Sequence, residues 1–147
     1  MHLRRDLGDQ RGRQFAALPL RGKGKDLEVM LVTSRDTGRW VLPKGWAEEG
    51  LTGSKLAAKE AFEEAGLVGT VAAVPIGAYG YEKRLSGDRT RPCEVAVFTM
   101  RVARELEDWP ERHQRRRQWF RLSEAAQLVQ EQDLADLLQR LAARSAA

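Results

Sequence analysis

Residues 54–66 read SKLAAKEAFEEAG, and their reading decides the fold. Strong helix formers fill the stretch. Thr52 or Ser54 is placed to cap its start, and Gly66 follows where a helix needs a residue that can turn left-handed. At about 100° per residue, Ala58, Ala61, Phe62 and Ala65 fall together on one side. Glu60, Glu63 and Glu64 fall together on the other, with Leu56 and Lys59 beside them. The i, i+3, i+4 spacing brings the three carboxylates to about 5–6 Å between β-carbons. At an effective dielectric near 20, each like-charged pair there costs about 3 kcal/mol. Such a cluster must be solvated, protonated or neutralised by a cation. Mg²⁺ is a hard cation that takes oxygen ligands and shares them with phosphate. Bound water beside it becomes acidic enough to attack phosphorus. Taken alone, an acidic helix face is most often simply solvated.

Outward from this helix, the chain alternates strands and helices without regular βαβ repetition. Residues 1–12 are polar and basic and are expected to form a flexible arm. Phe15–Leu20, Glu28–Thr33, Trp40–Leu42, Glu94–Met100 and Gln118–Arg121 have strand character, and two further strand-like stretches lie between Leu67 and Tyr81. Arg21–Asp26 has the chemistry of a hairpin tip, Trp46–Gly53 reads as a loop, and Glu82–Pro92 as a charged loop. Glu105–Gln114 reads as a polar connection, and one closing helix is expected from Ser123 to about Ala143. Its apolar side would use Ala126, Leu128, Val129, Leu134, Leu137, Leu138 and Leu141. The order strands, helix, strands, helix predicts an α/β fold, a mixed sheet with helices packed on its faces. Residues 13–147 are expected to form one domain.

Composition narrows the function classes. The 147 residues suit one core, and 42% hydrophobic with 31% charged residues suit a globular chain. The net charge of +4, from 25 basic and 21 acidic residues, fits a phosphate-rich small substrate as well as nucleic acid. Cys93 is the single cysteine, so no internal disulfide forms. It reads as a small core residue, and a reducing cytoplasm is the expected compartment. No apolar run reaches the ~20 residues of a membrane helix, and no secretory signal is visible at the N-terminus. His2 and His113 are too few for a zinc site.

From Gly45 to Leu67 the chain resembles the Nudix box: Gly, five residues, Glu, seven residues, then Arg-Glu-apolar-x-Glu-Glu-x-Gly-apolar. Gly45 opens the pattern and residues 59–67, KEAFEEAGL, close it at the required spacing. Two positions depart: Leu51 stands for the first Glu and Lys59 for the Arg. Both halves of a charge contact differ together, so no orphan charge remains. Leu51 can brace the loop by packing, and Glu48 and Glu49 are near enough in sequence to supply a substitute carboxylate. The resemblance implies an α/β/α sandwich around a mixed sheet. It implies hydrolysis of a phosphoanhydride bond with Mg²⁺ or Mn²⁺ held by Glu60, Glu63, Glu64 and Gly45, the three glutamates being catalytic.

A narrower resemblance, to the diphosphoinositol polyphosphate phosphohydrolase branch, runs through residues 11–17, 32–35, 39–43, 106–109 and 115–120. It implies diphosphoinositol polyphosphates or dinucleoside polyphosphates as substrates. It also implies phosphate contacts at Arg11, Arg13, Ser34, Arg35, Arg91 and Arg116. Where that branch has a glycine run, this chain has Lys44-Gly45-Trp46, which places Lys44 among the substrate contacts and gives Trp46 a stacking face. Trp40, Trp109, Trp119 and Phe120 are expected to pack in the core or at its edge. The run Arg115–Arg117 repels itself unless anions are near. The general base is left open among Glu63, Glu64, Glu94 and Glu111. Nucleoside triphosphates, an RNA 5′ end and a non-catalytic phospho-ligand sensor are the alternatives. No membrane is expected as a partner, and the chain is expected to be a monomer or weak dimer.

Overall fold

The computed structural model describes residues 12–146. In chain order the elements are β1 (Arg13–Arg21), a 3₁₀ turn (Gly24–Asp26), β2 (Glu28–Thr33), β3 (Trp40–Val41), β4 (Lys44–Trp46), α1 (Gly53–Ala65), β5 (Leu67–Val71), β6 (Gly77–Arg84), β7 (Thr90–Glu105), β8 (Arg117–Arg121), α2 (Leu122–Leu128) and α3 (Gln132–Ala146). The strands form one eight-stranded sheet with the path β3-β2-β1-β7-β5, onto which β8 joins β2, β4 joins β1 and β6 joins β7. β1 and β7 run parallel. The other pairings are antiparallel, so the sheet is mixed, as expected.

The inner stretches of the central strands, Phe15–Leu20, Val29–Val32 and Val95–Met100, are almost wholly apolar because both faces are covered. Side chains alternate between the two sides of a strand. Ala16, Leu18, Val29, Leu31, Val95 and Val97 pack on one side with the leucines of α3 and with Leu122 and Ala126 of α2. Ala17, Met30, Val32, Ala96, Phe98 and Met100 pack on the other with Ala57, Ala61 and Ala65 of α1. The result is helix, sheet, helix: the α/β/α sandwich. Cys93 is a buried residue on β7.

Three expectations are corrected. The closing helix is two helices, interrupted at Val129, whose backbone is extended at φ −76° and ψ 147°. On one straight helix, the stripe Leu122, Ala125, Ala126 and the stripe Leu134, Leu137, Leu138, Leu141 would point about 120° apart. The break lets both face the sheet, while Leu128 turns out to solvent. Arg121 rather than Ser123 precedes the first of them, and Glu124 receives the Arg121 backbone N–H at 3.1 Å. The expected loop Trp46–Gly53 gives up its first residue to a strand, because Lys44–Trp46 pairs with Gln14–Ala16 of β1. Finally, β7 runs beyond the expected Glu94–Met100 at both ends, from Thr90 to Glu105, and its pairing with β6 up to Arg84 shortens the expected Glu82–Pro92 loop to its middle. No helix among the described residues is long and apolar enough to cross a membrane.

Candidate active site

α1 starts where Thr52 Oγ1 accepts the Lys55 backbone N–H at 3.2 Å, and stops at Gly66, which is left-handed at φ 67°. Its far end is held from outside. Arg117 donates to the Ala65 carbonyl at 2.8 Å and to Leu106 at 2.7 Å. The Trp109 indole donates to the Glu64 carbonyl at 3.2 Å. The Arg117 guanidinium lies 3.8 Å from the Trp109 ring centroid. A cation and an N–H thus meet the orphan carbonyls at the negative end of the helix. A Cβ at Gly66 would come within 2.6 Å of Trp109, so the glycine answers a close approach as well as a turn. Replacing Arg117 with Met is expected to lower unfolding free energy by about 1.5–3 kcal/mol, measured by urea denaturation.

The buried face of α1 is Leu56, Ala57, Glu60, Ala61, Glu64 and Ala65. Phe62, grouped with the apolar side from the wheel, is 41% exposed. Two glutamates take inward positions instead: Glu60 is 9% and Glu64 6% exposed. β4 receives them. The Lys44 backbone N–H donates to Glu64 Oε1 at 3.3 Å. A Cβ at Gly45 would lie 2.6 Å from the Glu60 carboxyl carbon, so only glycine lets the strand come this close. Glu63 departs from its neighbours. It lies outside the cleft lining, half-buried, and its backbone carbonyl accepts the Glu111 N–H at 3.0 Å. Successive residues turn by about 100°, which carries Glu63 off the face Glu64 presents to β4. Among the described residues no three His, Cys, Asp or Glu groups come close enough to share one ion, so the tight core of the trio is the pair Glu60 and Glu64.

Burial raises the pKa of both carboxyls. Glu64 is pushed up to about 8: desolvation dominates, Arg115 pulls the other way, and Glu60 adds to the rise. Glu60 is also raised, first by burial. Arg115 is the cation in contact. Its Nη2 lies 3.4 Å from Glu64 Oε2, its Nε donates to Glu111 at 2.8 Å, and its Nη1 donates to the Thr33 carbonyl at 3.0 Å.

These groups open onto a cleft of about 360 Å³. Of the residues singled out from the sequence, Ser34, Arg35, Lys44, Gly45, Glu60 and Glu64 line it. Glu111 and Arg115 line it too. Desolvation lowers the pKa of Lys44. Arg35 is held by Gln114 at 2.7 Å, with Glu111 at 3.8 Å.

Other expected contacts lie elsewhere. Arg13 sits 3.6 Å from Glu94 and faces the Phe15 ring. Arg116 lies over Trp40. Arg91 lies over Trp46. Arg11 is outside the described residues. The Arg115–Arg117 run escapes self-repulsion by splaying: one member to carboxylates, one to an indole, one to helix carbonyls. Trp40 packs edge-on to Phe120 at 5.0 Å, and Trp119 packs beside the α1-side core, both as expected. The departures from the box also find an answer. Lys59 Nζ meets Glu48 Oε2 at 2.8 Å, so the brace between loop and helix is rebuilt from a carboxylate three residues earlier than Leu51.

Gln14, Tyr81 and Asp36 of the cleft were not singled out from the sequence. Gln14 carries a usable signal: it is a polar side chain at the inward phase of the run containing Ala16 and Leu18, and it is 5% exposed.

The fold has counterparts among known proteins. Residues 10–141 match the NUDIX domain, and the chain belongs to that family. It is 37% identical over 105 residues to Nudix hydrolase 12, mitochondrial, of Arabidopsis thaliana, covering 69% of this chain and 52% of the relative. It is 28% identical over 120 residues to diphosphoinositol polyphosphate phosphohydrolase 3-alpha of Mus musculus, covering 80% of this chain and 69% of the relative. The chain thus spans about half the length of the Arabidopsis relative. Among solved structures, the C. elegans Ap4A hydrolase superposes with a TM-score of 0.65 at 19% identity, covering 89% of this chain and 96% of that one, a likeness of fold.

Proposed function

We propose that the protein hydrolyses a phosphoanhydride bond in a polyphosphorylated small molecule, of the diphosphoinositol polyphosphate or dinucleoside polyphosphate class, with Mg²⁺ or Mn²⁺. The supporting observation is the pair Glu60 and Glu64, buried together at the floor of a cleft otherwise supplied with cations. Two adjacent buried carboxylates held up in pKa are a donor set that a hard divalent cation satisfies. Gly45 leaves the room, because a side chain there would fill the space against Glu60. The site therefore fits such an ion, with Glu60 and Glu64 holding it and Glu63 adding negative charge from one side. When bound, the ion supplies neutralisation of phosphate charge and acidification of water.

The chain's own residues do the rest. Arg35, Lys44 and Lys83 present cations along the cleft for a phosphate chain. Arg115 keeps Glu64 in place from the side opposite Lys44 N–H. Glu111 brings a further carboxylate to the cleft within reach of a water. The test is a rate panel with diphosphoinositol pentakisphosphate, diadenosine polyphosphates and nucleoside triphosphates, with Mg²⁺, Mn²⁺ or EDTA. Product is expected with metal and none in EDTA. Ligand binding in EDTA with no product on adding metal would instead identify a sensor.

A further inference from the structure

β4 has two faces with different chemistry. Gly45, opposite Phe15 in register, turns toward the α1 carboxylates. Lys44 and Trp46, opposite Ala16 and Gln14, turn to the other side. Directly opposed residues of an antiparallel pair hold their β-carbons about 5 Å apart on one face. Trp46 and Gln14 are therefore neighbours, and both line the cleft. Trp46 is 37% exposed, and Arg91 backs its ring with the guanidinium carbon 5.3 Å from the centroid. Gln14 is oriented: the Tyr81 hydroxyl donates to its Oε1 at 2.6 Å, which leaves the amide nitrogen, with its two hydrogens, as the donor this side chain can offer a ligand in the cleft it lines. The Lys44 ammonium stands 5.2 Å from the Tyr81 ring centroid.

An indole face, an oriented neutral amide and a few cations make a poor site for a ring bearing phosphate at most of its carbons. Each such phosphate needs a cation, and the cleft lining offers Arg35, Lys44 and Lys83, with Arg115 engaged by Glu64 and Glu111 and Arg91 set on the Trp46 ring. They suit a flat heteroaromatic ring that stacks and hydrogen-bonds, with a phosphate one ribose away. We propose that Trp46, backed by Arg91, together with Gln14 oriented by Tyr81, is the specificity element of this cleft and selects a nucleoside over an inositol on the remote side of the scissile phosphates. This rests on the phosphoanhydride reading above and chooses between the two substrate classes named there.

The test combines kinetics with binding. For the wild type, Trp46→Ala, Trp46→Phe and Gln14→Leu, kcat/KM is measured with Mg²⁺ on diadenosine tetraphosphate, diphosphoinositol pentakisphosphate and inorganic tripolyphosphate. AMP and ribose 5-phosphate are titrated by calorimetry in EDTA. Stacking on one aromatic side chain changes affinity by roughly tenfold or more. The expected result is a fall of about that size, in Trp46→Ala, in the ratio of diadenosine tetraphosphate to tripolyphosphate kcat/KM, carried by KM, with a parallel loss of AMP affinity. Trp46→Phe restores most of both, and Gln14→Leu lowers the ratio by a smaller factor. Equal losses on nucleotide and tripolyphosphate overturn the proposal and leave Trp46 a structural residue. So does AMP binding no tighter than ribose 5-phosphate in the wild type, or a wild-type preference for the inositol substrate. Absence of turnover on all three compounds strikes the hydrolase reading instead, and the AMP titration still decides the role of Trp46.

Discussion

Replacing Glu64 with Gln is expected to lower kcat on the order of 10³-fold, the loss of several kcal/mol of transition-state stabilisation, with the fold kept. The two halves of this expectation have separate causes. Glutamine keeps the shape and still accepts the Lys44 backbone N–H, so the junction of β4 and α1 survives. Arg115 loses one partner and retains Glu111 and the Thr33 carbonyl. What disappears is a negative charge beside Glu60, where Gly45 leaves space for a cation. Turnover assays with Mg²⁺, run beside a thermal melt, check both halves. Wild-type turnover in this variant would remove Glu64 from the chemistry.

The second large effect concerns pH in the metal-free protein. The Glu64 carboxyl titrates near 4.5 when free and is pushed up to about 8 in the fold, because burial outweighs the pull of Arg115. Between those values the folded chain holds a proton that the unfolded chain has released. Folding therefore takes up a proton in this window, and stability falls as pH rises. The contribution is fully present below about 4.5 and lost as pH passes through 8. In EDTA, Tm is expected to decline from pH 5 to pH 9. Mg²⁺ added at pH 8 recovers it, since a cation bound only by the folded state stabilises that state. Glu64→Gln flattens the slope. A metal-free Tm that climbs over the same range would mean Glu64 is already ionised and sits in an ordinary ion pair with Arg115.

Much of the fold was legible in sequence because it rests on local patterns. β2 and the core of β7 are apolar runs covered on both faces, and α1 is bounded by a Thr cap and a left-handed glycine, all visible over a dozen residues. What escaped depends on distance. Lys44–Trp46 is too short to announce itself and becomes a strand only because β1 is there to pair with it. The break at Val129 follows from two apolar stripes out of phase, a mismatch that a list of apolar residues hides. At the site, helical spacing set Glu60 and Glu64 on one side with Glu63, and the resemblance to the Nudix box pointed to Gly45. It could not separate Arg115 from Arg116 and Arg117, since three neighbours in a chain can face a carboxylate, an indole and a helix end. The resemblance had implied phosphate contacts for Arg13, Arg91 and Arg116, and the structure sets all three over aromatic rings.

The parallel pairing of β1 with β7 sets Arg13 beside Glu94, so the centre of the sheet joins stretches about eighty residues apart in the chain. A nascent polypeptide cannot form that ladder until most of the domain has been synthesised. Until then the apolar run of β1 waits without its neighbour, and closing so long a loop precedes any gain from the contact. Refolding from urea should accordingly run slower than for helical domains of similar size. Circular permutants that bring these two strands near in sequence should fold faster while ending at the same architecture.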